Sequence, residues 1–154
     1  MKKPEPINPT DDEARALAKN IMDVARHGAL AVTRKDGVPY VARVAVLADQ
    51  GNLLTLISTL SAHTTALRST PSCAILIGEP GPKGDPLTHP RMPLTCTAEV
   101  VEKAHYKSRW LASIPKAQLY YDFTDFLMFR LVPSEIRLNG GFGKAFQLAP
   151  SDLT

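Results

Sequence analysis

The sequence is short of several features that would assign a function at once. Only two of its 154 residues are cysteines. Cys73 and Cys96 each lie in an apolar, strand-like run, which reads as two reduced core thiols and offers neither a disulfide framework nor a metal centre. His27, His63, His89 and His105 show no pair at zinc-ligand spacing, and no Cys-x-x-Cys is present. No apolar run approaches the roughly 20 residues of a membrane span, so no membrane partner is expected. The opening "MKKPEPINPTDDEARA" has no apolar core after its lysines. That argues against a secretory signal and makes the cytoplasm the expected location. The formal net charge is +3, with no Lys/Arg run longer than two, so a nucleic-acid stripe is not expected. A local pocket for a small anion fits the mild basic excess better. The Gly-x-Gly-x-x-Gly order between strand and helix is missing, and no Ser-His-Asp constellation follows from spacing.

Hydrophobic residues at 44% and charged residues at 21% suit one soluble globular domain. We expect an N-terminal tail over residues 1–9 and a domain over 10–154. In "TDDEARALAKNIMDVARHG", Thr10 stands as N-cap with Glu13 at capping-box spacing, and Gly28 stands as the C-terminal cap. Leu17, Ile21 and Val24 share one helical face. "ALAVTR", "VPYVARVAVLA" and "LLTLIS" read as an antiparallel meander of three strands. Along the second, Val38, Tyr40, Ala42, Val44 and Val46 face one way, while Val41, Arg43, Ala45 and Leu47 face the other. "SAHTTALRS" reads as a short helix, "SCAILIG" as a fourth strand and 92–102 as a fifth. "AHYKSRWLASI" is helical up to Pro115, and "DFLMFRLVPSEIRL" supplies one or two more strands. Short strands with turn signals indicate a small barrel flanked by helices.

Four groups stand out as candidate chemistry. Arg43 is the lone charge on its strand face, so it is either a rim arginine reaching solvent or a ligand for an anion. "STLSAHTTAL" gathers five hydroxyls where a strand passes into a helix. Simple capping by Ser61 explains one of them, and anion binding explains more. Thr88, His89 and Arg91 close the long loop "GDPLTHPR". That loop either satisfies its own backbone or carries a site, as long loops in compact domains often do. "NGGFGKA" is either a turn or a place of close backbone approach.

The order of the strand arginine, "IST", "SAHT", "GDPLTHPRMPLTCTAEV" and "SRWLASIPKAQLYYDFTDFLMFRLVPSEIRLNGGFGKA" resembles the FMN-binding split-barrel family. The likeness is to its pyridoxamine 5′-phosphate oxidase-like group, and within that to the HugZ/HutZ-type haem-utilisation branch. It runs from the first helix to Ala145 and is most specific at "GDPLTHPR" and "GGFGKA". It implies an α+β fold built on a six-stranded antiparallel split β-barrel with flanking helices. It also implies a homodimer with a cofactor site at each side of the interface, and an FMN-dependent oxidoreductase acting on a small-molecule substrate. In that scheme Arg43 holds the FMN phosphate, and Val44, Ala45 and Val46 follow the flavin edge. Ser58 and Thr59 end the next strand, and Ser61, His63, Thr64 and Thr65 form the phosphate turn. Thr88, His89 and Arg91 lie over the ring, with Phe142 and Lys144 near the site or interface. The arginine and histidine that bind pyridoxal phosphate in the true oxidases have no match, so that activity is not expected.

Two rivals accompany the FMN reading. One is a flavin-binding module without turnover. The other is a haem-binding or haem-degrading protein of the HugZ/HutZ type. Because those members use a C-terminal histidine as iron ligand, and "FQLAPSDLT" holds none, haem degradation is not expected.

Overall fold

The structure is a computed structural model, and it describes residues 7–154. Part of the expected tail, residues 1–6, lies outside the described residues. Next to it Asn8 is pinned: its backbone N–H donates to the Ala145 carbonyl at 2.7 Å, and its side chain to the Gly143 carbonyl at 2.8 Å.

Helix α1 spans Asp12–Val24. Its N-cap is Asp11, one residue after the expected Thr10. The Asp11 carboxylate accepts from the Ala14 N–H at 2.8 Å, whereas the Thr10 hydroxyl donates to the Gln147 carbonyl. The helix also stops before Gly28. That glycine belongs to β1, His27–Thr33, where a Cβ would meet the Leu76 carbonyl at 2.9 Å. Strands β2 (Pro39–Ala45), β3 (Leu47–Asp49), β4 (Asn52–Ser58), β5 (Ser72–Ile77), β6 (Met92–Val101), β7 (Phe126–Asn139) and β8 (Ala145–Leu148) complete the sheet. Helix α2 is Ala62–Ser69, and α3 is Lys107–Ser113 between 3-10 turns. Among the described residues, no helix is long and apolar enough to cross a membrane.

The mainly antiparallel split barrel is as expected. Its strands run β2-β1-β5-β6-β7-β4-β3, with β8 on β7. The two ends of that order are consecutive in the chain, since β2 and β3 are halves of one bent strand broken at Val46. β2 pairs with β1 and β3 with β4, which closes the sheet on itself. The Thr55 hydroxyl ties the bend by donating to the Ala45 carbonyl at 2.7 Å. The count exceeds six because of this break and because β8 adds a hairpin strand on β7. "DFLMFRLVPSEIRL" falls, but for Asp125, in a single strand of 14 residues, Phe126–Asn139. Thr97, Cys96 and Thr95 face Val132, Pro133 and Glu135, so Ser134 is the extra residue of a bulge. The bulge accommodates Pro133, which has no N–H for the ladder.

Two cores result. The barrel interior holds Leu30, Val32, Val44, Val46, Ile75, Leu94 and Leu131, with α1 and α2 packed against it through Ala18, Ile21 and Leu67. A second core lies outside β3, β4 and β7, where Trp110, Tyr121 and Tyr106 cover Leu54, Leu56 and Met128. The Arg109–Asp49 ion pair, 2.8 Å long, fastens this layer to β3.

Candidate functional site

The 103–121 layer covers the outer face of only one half of the barrel. Over β2, β1, β5 and β6 no such layer lies on the outer face among the described residues, and Ile7 comes beside Leu76 and Pro93 at one edge. The alternation in β1 is clear, with Gly28, Leu30 and Val32 buried inward and His27, Ala29, Ala31 and Thr33 pointing out. Directly opposed residues share a face, so the register defines rows across the open side. One row is Arg43, Ala29, Leu76, Pro93, and the next is Val41, Ala31, Ala74, Thr95. Three alanines make a low floor. Val41 is 63% exposed and Leu76 45%, an apolar surface left open among the described residues.

Cations flank this floor. Arg43 is exposed and has no side-chain hydrogen bond or ion pair among the described residues. Arg91 stands on the far side, two residues before Pro93. Gly78 lets it come close: at φ +102° this glycine carries no side chain, and a Cβ there would lie 2.6 Å from the Arg91 Cα. Neighbouring strands lie about 4.8 Å apart, so the three steps from Arg43 to Pro93 span roughly 14 Å. The Arg91 guanidinium donates to the Leu87 carbonyl at 2.6 Å. It lines a cavity of about 300 Å³ together with Leu76, Pro93 and Arg137.

His27 begins the row beside Arg43, opposite Ala45. Its Nδ1 lies 3.9 Å from a Glu79 carboxylate oxygen, and its side chain is 47% exposed. Both residues open onto a cavity of about 490 Å³ walled by Leu17, Ile21 and Val24 of α1. Sequence reasoning set His27 aside for want of a zinc-spaced partner. The signal for it was the inward triplet Gly28, Leu30 and Val32, which forces its neighbour outward.

The hydroxyl cluster lies elsewhere. Ser58 pairs with Phe126, the first residue of β7, while Arg91 bridges to Asn139, the last. The Ser58 hydroxyl donates to the Asp125 carboxylate at 2.7 Å and accepts from the Leu60 N–H. Thr64 is fully buried, and its hydroxyl has no partner among the described residues. Ser61 is the N-cap of α2 by position, but its side chain caps nothing. Burial alone lowers the His63 pKa and favours the neutral ring. Thr59 and Thr65 share a hollow with Lys35, Arg68 and Ser69. Sequence reasoning missed both of these cations, although "TRKDG" already placed Lys35 in a hairpin turn and Arg68 follows Thr65 at i+3. Arg43 does not line this hollow.

The remaining candidates divide between core and loop. Val44 and Val46 point into the barrel, and Ala45 is half-buried. His89 has both ring nitrogens engaged: Nδ1 accepts from the Gly81 N–H at 2.7 Å, and Nε2 lies 2.7 Å from the Lys83 carbonyl. It folds its own loop and has no edge free for a ligand. The Thr88 hydroxyl donates to the Asp85 carbonyl. The GGFG turn docks on this loop, where a Cβ on Gly141 (φ +122°) would meet the Thr88 carbonyl at 3.1 Å. Phe142 projects from its tip into solvent. Lys144 lines a cavity of about 640 Å³ with Asn8, Thr10, Leu17 and Phe146.

No family model matches the chain. Over 117 residues it is 30% identical to the chloroplastic non-canonical haem oxygenase HOZ of Arabidopsis thaliana; the match takes in 72% of this chain and 35% of that protein. The chain therefore spans about a third of this relative's length. Among solved structures it superposes on a haem-binding protein from Mycobacterium smegmatis with a TM-score of 0.85 at 25% identity. That match covers 96% of this chain and 61% of the other. A protein of the pyridoxinephosphate oxidase family from Clostridium acetobutylicum, related to general stress protein 26, gives 0.72 at 11% identity over 94% and 100%. The last likeness is one of fold alone.

Proposed function

On its likeness to a non-canonical haem oxygenase and a haem-binding protein, and on the split-barrel fold it shares with the pyridoxinephosphate oxidase family, we propose that the chain binds haem on the open β2-β1-β5-β6 face, between two copies of itself. The observation that carries this reading is the alanine-floored face between Arg43 and Arg91. A porphyrin is broad, flat and apolar, with two carboxylates at one edge. An open floor of Ala29, Ala31 and Ala74 flanked by Val41 and Leu76 suits the macrocycle, and an unpaired guanidinium suits a carboxylate. These residues fit the group. Bound there, haem would supply iron redox chemistry, and the chain's part is to hold the macrocycle, pair its carboxylates and exclude water. Burying the exposed Val41 and Leu76 under a second copy would do the last of these. The Arabidopsis relative makes haem degradation the activity to assay.

A second reading, FMN with oxidoreductase chemistry, rests on the hollow of Lys35, Thr59, Thr65 and Arg68, which has the charge and hydroxyls for a phosphate. Titrating the apo-protein with hemin, FMN and riboflavin decides between them. Haem binding at micromolar or tighter affinity, with a sharpened Soret band at one haem per chain and weak FMN uptake, is expected. Saturable FMN binding that riboflavin does not match, with no Soret change on adding hemin, would overturn the haem reading in favour of FMN.

A further inference from the structure

We propose that His27 is the axial ligand of the haem iron, donating through Nε2 while Glu79 orients its Nδ1–H. This rests on the haem reading and deepens it.

Iron needs a donor atom that is free, unprotonated and on the ligand's side of the sheet. The described residues narrow the choice. Cys73 and Cys96 face each other inside the barrel. Met22, Met92 and Met128 are buried in the cores. His89 has both nitrogens engaged. His105 stacks edge-on against Tyr106, in the layer covering the other half of the barrel. His63 sits on α2, beside the hydroxyl cluster. Of the histidines His27 remains: it faces out, has no side-chain hydrogen bond among the described residues, and is one row from Arg43.

Three features give His27 the form of a ligand site. Diagonal neighbours across a strand pair lie about 7–8 Å apart, so an iron above His27 leaves the macrocycle edge within reach of the Arg43 side chain. The Glu79 carboxylate lies on the Nδ1 side of the ring, 3.9 Å away. Metal-bound histidines commonly offer that nitrogen to a carboxylate, which fixes the tautomer and turns Nε2 to the metal. The third is the 490 Å³ cavity beside the ring, where Leu17, Ile21 and Val24 form an apolar wall and Asn20, Arg26 and Glu79 a polar one, and whose volume is that of a small-molecule pocket. Arg26, the nearest cation in sequence, also lines this cavity, with its guanidinium held by the Asp23 and Ala25 carbonyls.

Resonance Raman spectra of the ferrous full-length protein loaded with hemin test this. Wild type should show an iron–histidine stretching band. His27→Ala should still bind haem but lose the band, and free imidazole should restore an imidazole-ligated spectrum. Glu79→Gln should keep the band at a shifted frequency. Should His27→Ala not fold, His27→Gln serves in its place. The inference is overturned if wild type binds haem without the band. It is equally overturned if the band survives loss of His27, or if His63→Ala or His105→Ala removes it. A wild type that takes up no haem at all overturns the haem reading itself.

Discussion

Replacing Arg43 by alanine separates a ligand arginine from a rim arginine. The side chain is exposed and without a partner among the described residues, so its loss removes no interaction within the chain. Exposed positions of that kind change stability by no more than about 0.5 kcal/mol, and the melting temperature should hold. A hydrogen bond to a charged group contributes about 1.5–3 kcal/mol. If Arg43 pairs a haem carboxylate, its removal should weaken hemin binding roughly 10- to 150-fold. The weaker end applies if the pair stays open to water, the stronger if a second copy covers it. Arg91→Ala is not an equivalent test. Its guanidinium also holds the Leu87 carbonyl at 2.6 Å, so truncation loosens the 84–91 loop as well as removing a charge. The assay is a Soret titration of wild type and Arg43→Ala with hemin and with its dimethyl ester, whose carboxylates are blocked. The two proteins should differ for hemin and agree for the ester. Equal hemin affinities would refute the pairing, and an equal loss for hemin and ester would show that Arg43 acts through packing.

Sedimentation at micromolar concentration should report about twice the 16.8 kDa chain mass. Val41→Glu, which puts a carboxylate on the open apolar floor, should shift the protein towards monomer; a wild-type monomer would remove the interfacial site. Burial pushes the thiol of Cys73 up to about 11 and that of Cys96 up to about 12. Native protein at pH 8 should therefore react far more slowly with a thiol reagent than urea-unfolded protein, and equal rates would contradict the packing. A raised thiol pKa binds the proton more tightly in the fold than in the unfolded chain. This contribution to stability is complete below about pH 8.5, the free-thiol value, and is lost as pH rises through about 11 for Cys73 and about 12 for Cys96.

Periodicity made much of the fold legible. The in–out alternation of 38–47 follows from residue spacing and agrees with the strand register, and the apolar stripe of α1 agrees at Leu17 and Ile21 but not at Val24, which is 61% exposed. The break at Val46 was not legible, because the run 38–48 alternates straight through it; only pairing with β1 on one side and β4 on the other shows the bend. The same holds for Ser134, whose bulge exists because Cys96 and Thr95 of a distant strand set the register. Strand β8 is short, and its residues "AFQL" carry no alternation that a turn-rich context would expose. His27 was hidden by a different error. Taking Gly28 as a helix cap placed its neighbour at a helix end, whereas Gly28 is needed inside β1 because Ile75 and Leu76 press against it.

The placement of the two candidate clusters bears on how a site can be built. The hydroxyl turn adjoins the start of β7 and the Arg91 loop adjoins its end. A straight strand of 14 residues would separate them by roughly 44 Å at about 3.4 Å per residue, and the bulge shortens that only in part. No single small cofactor bridges such a span within one chain. Either one cluster is unrelated to the ligand, or a two-fold partner brings its turn to the other's loop, as a self-complementary interface permits. The chemistry of the turn bears on that choice. Ser58 is bonded to the Asp125 carboxylate and the Thr64 hydroxyl is buried, which leaves Thr59 and Thr65 with Lys35 and Arg68 as the phosphate-competent set. Lys35→Ala together with Arg68→Ala should therefore abolish any FMN affinity and leave hemin affinity unchanged. Loss of hemin binding in that double variant would mean that the turn of one copy completes the haem site of the other.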